Sequence, residues 1–230
     1  MTLLSSISWN QILAFARIVF TRAIHPRPAL LAPDESIWYS TGMILKVARL
    51  GHPVLRQKAK PVSRKQLSSP GIQAFIQDMF QTMREYDGVG IAAPQVHVPV
   101  QIVVIGVNHN PRYPRAPQIP LTVLVNPRIK PASRIKPASR IKPVSLHQAP
   151  GWEGCLSVEG LRGRVPRWRS IRVEAYNAKG EKIRFSASGF FARVIQHEWD
   201  HLQGKVYLDR MRDLTTLTHL TEYARYWVKG

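Results

Sequence analysis

Five residues near the C-terminus, His197-Glu198-Trp199-Asp200-His201, constrain this chain more than any other stretch. Two imidazoles four residues apart share a face when the backbone between them is helical, because positions i and i+4 then lie one above the other. Both rings can reach one metal ion, and Glu198 stands to the side, where it can act on a water held there. The surroundings fit a helix over 190–203: Phe191, Val194, Ile195 and Leu202 fall on an apolar side, and Gly204 follows as a stop.

The chain contains one cysteine, Cys155, so no internal disulfide staples the fold. A solitary thiol is most often a small buried hydrophobe. Here it follows Gly154 and lies upstream of a two-histidine helix, which also makes it the candidate third ligand. One cysteine and two histidines leave a position open on a tetrahedral metal, the feature that separates a catalytic site from a structural one. A third segment, Gly88-Val89-Gly90-Ile91-Ala92-Ala93-Pro94-Gln95-Val96, is small and apolar with one polar side chain near its end. It reads either as a tightly packed strand, with glycines where another backbone comes close, or as a substrate-facing strand in which Gln95 offers an amide N–H to an oxyanion.

Together and in this order, the three segments resemble the peptide deformylase family of the bacterial, iron-dependent type. That family shows Gly-x-Gly-x-Ala-Ala-x-Gln, Glu-Gly-Cys-Leu-Ser and His-Glu-x-x-His, matched here by Gly88 to Gln95, Glu153 to Ser157 and His197 to His201. The resemblance runs from about Met43 to about Asp213 and includes Lys46 to Arg56 and Gln203-Gly204. It implies an α+β fold with mainly antiparallel sheets around a central metal-binding helix. The implied activity is hydrolysis of the formamide on the N-terminal formylmethionine of newly made polypeptides.

Residue by residue, the resemblance makes Cys155, His197 and His201 the ligands of one divalent metal. Ferrous iron is the expected ion, with zinc, nickel or cobalt as substitutes. Glu198 becomes the general acid/base, and the Gln95 side chain and the Leu156 backbone N–H become the oxyanion donors, each worth about 2.7–4 kcal/mol of barrier. Val89, Phe190 and Val194 stand at positions matching a methionine pocket, and the same residues would also serve as ordinary core. Backbone around Val89, Gly90 and Ile91, and around Glu159 to Leu161, would hold the peptide as an added strand. Arg162 is expected either to contact substrate or to pair locally. Glu159 departs from the proline that many relatives have there. His-Glu-x-x-His also marks zinc peptidases, but these take their third ligand downstream of the motif, whereas Cys155 lies upstream. A ribosome- or RNA-binding module without catalysis is the other alternative; intact Glu198, Gln95 and metal ligands argue against it.

Charge adds a partner class. Lys+Arg 33 against Asp+Glu 14 gives a net charge of +19, which implies attraction to polyanions such as ribosomal RNA or a solvated basic surface. Transient ribosome contact is therefore expected beside the formylmethionyl substrates. No apolar run is long enough to span a membrane, and no oligomeric state is specified.

Residues 43–213 form the expected catalytic domain. Residues 1–42, acid-free before Asp34, are either an organelle-targeting peptide, for a mitochondrion or plastid, or an upstream extension from a misassigned start, in which case the protein is cytoplasmic. Arg128-Ile129-Lys130-Pro131-Ala132-Ser133 recurs at 134–139 and, with Val144 in place of alanine, at 140–145, and this 128–145 insertion reads as an exposed, mobile basic loop.

The remaining pattern predicts a helix from Pro70 to Tyr86, strands at 101–107 and 121–125, a hairpin of 171–176 with 181–187, and a helical segment at 214–230 that either caps the domain or docks on the ribosome. His52 is expected to be structural, and His25, His97, His109, His147 and His219 are assigned no role. Asp200 is expected to orient a ligand or to pair with an arginine such as Arg167.

Overall fold

The computed structural model describes residues 42–108, 110, 113, 116–132 and 148–228. The N-terminal extension before residue 42, the second and third copies of the basic repeat, and His25, His109 and His147 lie outside the described residues.

In chain order the elements are α1 (Arg64–Leu67), α2 (Pro70–Glu85), β1 (Gly90–Ala92), β2 (Ile102–Val107), β3 (Ile119–Pro131), β4 (Gln148–Cys155), β5 (Val158–Trp168), β6 (Ser170–Tyr176), β7 (Lys182–Ser188), α3 (Gly189–Leu202), β8 (Thr218–His219) and α4 (Leu220–Tyr226). Among the described residues two sheets result, one ordered β1-β2-β3-β6-β7 and the other β4-β5-β8. Every strand pair in them is antiparallel, so the fold is α+β as expected.

The sequence explains how these layers assemble. Ser69 accepts a hydrogen bond from the Ile72 N–H, and Pro70 fills the first turn, so α2 starts where the chain offers a cap. Its far end closes with the Gly88 N–H donating to the Met83 carbonyl at 2.8 Å. β2 is buried along its whole length because both of its faces are covered. Ile102 and Val104 join Met79 and Phe80 of α2, while Val103 and Ile105 join Ala192 and Ile195 of α3. The motif helix α3 is thus anchored by its apolar side on the large sheet, leaving its histidine side for another purpose.

Three details differ from the sequence reading. The first copy of the basic repeat is not loop. Arg128, Ile129 and Lys130 pair with Glu174, Val173 and Arg172 of β6, and Pro131 comes last in the strand, where a missing N–H costs least. The segment after Leu214 is not one helix: a 3-10 turn (Leu214–Thr216) and β8 precede α4. β8 forms because Thr218 and His219 find partners in Arg162 and Leu161 of β5. The β4–β5 hairpin, which carries the cysteine, shows little apolar/polar alternation in sequence and was not anticipated.

Candidate metal centre

β4 ends at Cys155, and Val158 pairs back with it to open β5. α3 brings His197 and His201 beneath this hairpin, their ring centroids 5.2 Å apart. One ligand atom from each of the three residues lies within 4.8 Å of the others, and all three residues are buried. His201 Nε2 sits 3.2 Å from Cys155 Sγ. His197 engages Glu153 Oε2 through Nδ1 at 2.9 Å, which leaves its Nε2 for the centre. A sulfur and two imidazole nitrogens at this spacing match a first-row ion bound at about 2.0–2.3 Å.

Electrostatics favours the ligand state of the sulfur. Burial alone would raise the Cys155 thiol, but the imidazoles of His201 and His197 outweigh it and hold the thiol well below its ordinary range. Burial likewise works against a charged His197, and Cys155 and Glu153 reverse that, pushing the imidazole well above its usual value.

Behind His197 lies a buried ion-pair network. Arg167 grips Glu153 with two hydrogen bonds of 3.0 Å, and Arg193 Nη1 adds a third at 2.7 Å. Arg167 also donates to Asp200, which Arg210 holds from the other side at 2.6 Å. Burial opposes ionisation of Glu153, yet the Arg167 guanidinium and the His197 contact keep it well below the carboxylate range. The Asp200–Arg167 pair is as expected from sequence. The role of Glu153 was missed, although a signal existed: on a strand, positions 153 and 155 share a face, so a carboxylate two residues before a ligand cysteine is placed to touch the same centre.

Glu198 is buried beside the cluster, and a Cβ placed on Gly90 would come within 2.6 Å of its Oε1. Glycine at 90 is thus what gives this carboxylate its room. Burial pushes the Glu198 carboxyl up to about 7, and among the described residues its Oε2 has no hydrogen-bond partner. Gln95 accepts from the Ala92 N–H through Oε1 at 2.8 Å and directs Nε2 at Ser157 Oγ and Cys155 Sγ, 3.3 and 3.5 Å away. The Leu156 carbonyl accepts from Arg49 at 3.0 Å, and Glu159, at the position that departs from the family pattern, pairs with that same arginine.

These groups open on one cleft. Its walls include Val89 and Gly90 of the β1 segment, Trp152 to Leu156 of the β4 hairpin, and Phe190 and Val194 of α3, with Gln95, His197 and Glu198 at its base. Among the described residues β1 and β4 are each the outermost strand of their sheet, so the cleft runs between two strand edges. Arg162 does not line it. Its guanidinium lies 4.4 Å from the Tyr113 ring centroid and 5.5 Å from that of Tyr223. Leu161, at the end of the backbone segment expected to hold the peptide, pairs with His219 of β8.

An α+β fold with a buried Cys/His/His cluster opening on a cleft beside a carboxylate defines a metal-dependent hydrolase. Comparison with known proteins narrows the class. Residues 44–216 match the family model for polypeptide deformylase. Peptide deformylase 1 of Bordetella pertussis is 47% identical over 173 residues, covering 75% of this chain and 90% of that relative. Peptide deformylase 2 of Ralstonia nicotianae is 46% identical over 173 residues, with the same coverage of both. Among solved structures, a class I type b peptide deformylase from Acinetobacter baumannii with Met-Ala-Ser bound superposes with a TM-score of 0.65 at 36% identity, covering 74% of this chain and 100% of that one. The chain belongs to the peptide deformylase family, the metal-dependent hydrolases that remove the N-formyl group from nascent polypeptides.

Proposed function

We propose that this chain removes the formyl group from formylmethionyl polypeptides at the Cys155–His197–His201 centre, with Glu198 as its proton carrier. The observation that carries the reading is the buried three-ligand cluster beside a carboxylate that Gly90 makes room for. Cys155, His197 and His201 would hold one divalent ion, which supplies Lewis acidity toward the formyl oxygen and makes water a better nucleophile near neutral pH. A thiolate donor makes the site soft enough for ferrous iron, our choice of ion, with zinc, nickel and cobalt as alternatives.

The chain's own groups account for the rest of the reaction. Glu198, buried and raised toward neutrality, takes the proton from the attacking water and returns one to the departing amine. Gln95 Nε2 and the Leu156 N–H donate to the developing oxyanion; the Gln95 amide is already fixed by its bond from Ala92. The peptide lies extended between the edges of β1 and β4, where Gly90 and its neighbours offer backbone groups to any sequence. Val89, Phe190 and Val194 receive the methionine side chain.

The catalytic unit is assigned to residues 43–213, with 1–42 an extension, 128–145 a basic insertion and 214–230 a C-terminal segment. Among the described residues no helix is long and apolar enough to cross a membrane. A cytoplasmic setting with transient ribosome contact fits the net charge of +19. The deciding experiment is release of formate from formyl-Met-Ala-Ser by protein loaded with Fe²⁺ kept reduced, Ni²⁺ or Co²⁺. Turnover is expected with each ion, and none with any of them would overturn the reading.

A further inference from the structure

A strongly basic surface lies on β3, β6 and β7, and no step of the chemistry above uses it. These strands carry five cations, Arg128, Lys130, Arg172, Lys182 and Arg184, against one acid, Glu174. The register puts all six on one face. Arg128 pairs with Glu174 and Glu174 with Arg184, Lys130 pairs with Arg172, and Lys182 pairs with Tyr176 two positions along β6. Directly paired residues share a face, as do alternate residues of one strand. The opposite face is apolar, with Ile171, Val173 and Ala175 buried in the core that α3 joins. All five cations are exposed, and Arg184 meets Glu174 at 3.5 Å. Lys130 stands directly opposite Arg172, and like charges so placed repel. Arg128 and Lys182 also edge a groove of about 670 Å³ beside the bulge that follows Val125, and Lys58 and the half-buried Trp199 line it with them. The chain leaves this face at Ala132 for residues 133–147, outside the described ones, whose sequence adds Arg134, Lys136, Arg140 and Lys142 and no acid.

We infer that this sheet face binds single-stranded RNA, its phosphates on Arg128, Lys130, Arg172 and Lys182 and one base on the Trp199 ring. The inference deepens the ribosome contact proposed above, on which the choice of RNA rests, and it places that contact on the sheet rather than on the C-terminal segment. Alternate residues of a strand lie about 6.6 Å apart and neighbours across strands about 5 Å, a grid that the phosphates of a flexible single strand can follow. Each phosphate so neutralised releases condensed counterions, which drives binding and makes it salt-dependent. An aromatic ring in a basic groove is a platform on which a base stacks whatever its sequence. A lipid surface fits less well. Binding to a bilayer draws on apolar side chains as well as charge, and among the described residues no exposed large hydrophobic lies on these three strands.

The test is fluorescence polarisation of a labelled, mixed-sequence RNA of about 12 nucleotides, within the usual footprint of such sites, titrated with the full chain over a range of salt. Replacing Arg128, Lys130 and Arg172 together by Gln is expected to weaken binding about 10-fold or more and to make the slope of log affinity against log salt shallower by about 2. Replacing three exposed cations elsewhere, Lys46, Arg84 and Arg225, by Gln should leave both nearly unchanged. Trp199→Ala is expected to cost about 5- to 100-fold with the salt slope kept, and Trp199→Phe to retain most of the affinity. Duplex RNA of the same length should bind more weakly, because its bases are already stacked. Equal losses in the two triple variants would overturn the inference, and so would duplex RNA binding as tightly as the single strand. Displacement of the RNA by phosphatidylcholine vesicles with about 30% phosphatidylserine, at matched anionic charge, would assign the face to lipid and also overturn it. Formate release from formyl-Met-Ala-Ser is expected to be unchanged in the sheet-face triple variant. Absence of turnover in the wild type would defeat the deformylase reading, and the RNA titration would still decide the face.

Discussion

The two ends of the cleft are built in opposite ways. At the inner end the two carboxylates behind the ligands are buried and tied to fixed partners: Glu153 to Arg167, Arg193 and His197, and Asp200 to Arg167 and Arg210. At the outer end the contacts are ring against ring: Tyr223 and Trp227 pack on Trp152, and Trp227 stays 54% exposed. The difference follows from what each end must do. A metal ligand displaced by an ångström no longer binds, so the inner end is held by hydrogen bonds whose geometry is narrow. A cleft that accepts many polypeptides needs only a forgiving apolar surface.

The contrast breaks most severely at the ligands. Cys155→Ala is expected to remove the metal and, with it, on the order of 10³-fold or more of activity, while Glu198→Gln should keep the metal and still lose about 10²–10⁴-fold. Metal analysis beside formate release separates the two, and full metal retention in Cys155→Ala would remove that residue from the centre. Next comes the support behind His197. Glu153→Ala takes away one of the two carboxylates that Arg167 pairs with, and chemical denaturation should show a loss of up to about 3–5 kcal/mol. Glu153→Gln preserves shape but weakens the hold on His197, and metal affinity should fall about 10–100-fold in a competition with a chelator.

Acid titration sharpens the same point at Asp200. Burial works against its charge, but Arg210 and Arg167 hold its pKa below the ordinary 3.8. A carboxylate depressed in the folded state contributes stability that is complete above its unfolded value and lost as pH falls through the folded one. Denaturation midpoints should therefore decline below about pH 4 in the wild type, and Asp200→Asn should flatten that part of the decline; an unchanged acid slope would place the loss elsewhere. Gly90→Ala tests room rather than charge. Its methyl group meets Glu198 Oε1 at 2.6 Å, and misplacing that carboxylate should cost up to about 10²-fold in kcat, with metal content unchanged. The smallest effect belongs to the outer end, where Trp227→Ala should lower stability by no more than about 1 kcal/mol.

What could be read from the sequence divides along similar lines. The motif helix was legible because a helical repeat of apolar residues and a two-histidine spacing coincide within fourteen residues, Gly189–Leu202. Ser69-Pro70 and Gly88 bracketed α2 for the same reason: caps are local chemistry. Family membership came from three short motifs read in order. The β4–β5 hairpin escaped because glycines, prolines and arginines interrupt its alternation, and its pairing is decided by what covers it. Glu153 was in plain view as part of a motif, but its meaning depends on Arg167 and His197, fourteen and forty-four positions away. The helix expected from Leu214 onward was cut short because Thr218 and His219 pair with β5, a long-range bond that no local propensity encodes. Arg128 to Lys130 resembled loop because the repeat recurs, yet the first copy has β6 beside it and the strand simply continues.

Cys155 has one more consequence. With a single thiol in 230 residues, a thiol-reactive dye can attach to one atom of the molecule only, and that atom is the candidate metal ligand. Labelling stoichiometry in the unfolded protein counts chains, and labelling of the native protein counts the chains whose buried sulfur is uncommitted and reached by the dye through the cleft. The ratio of the two is an active-site titration that needs no substrate.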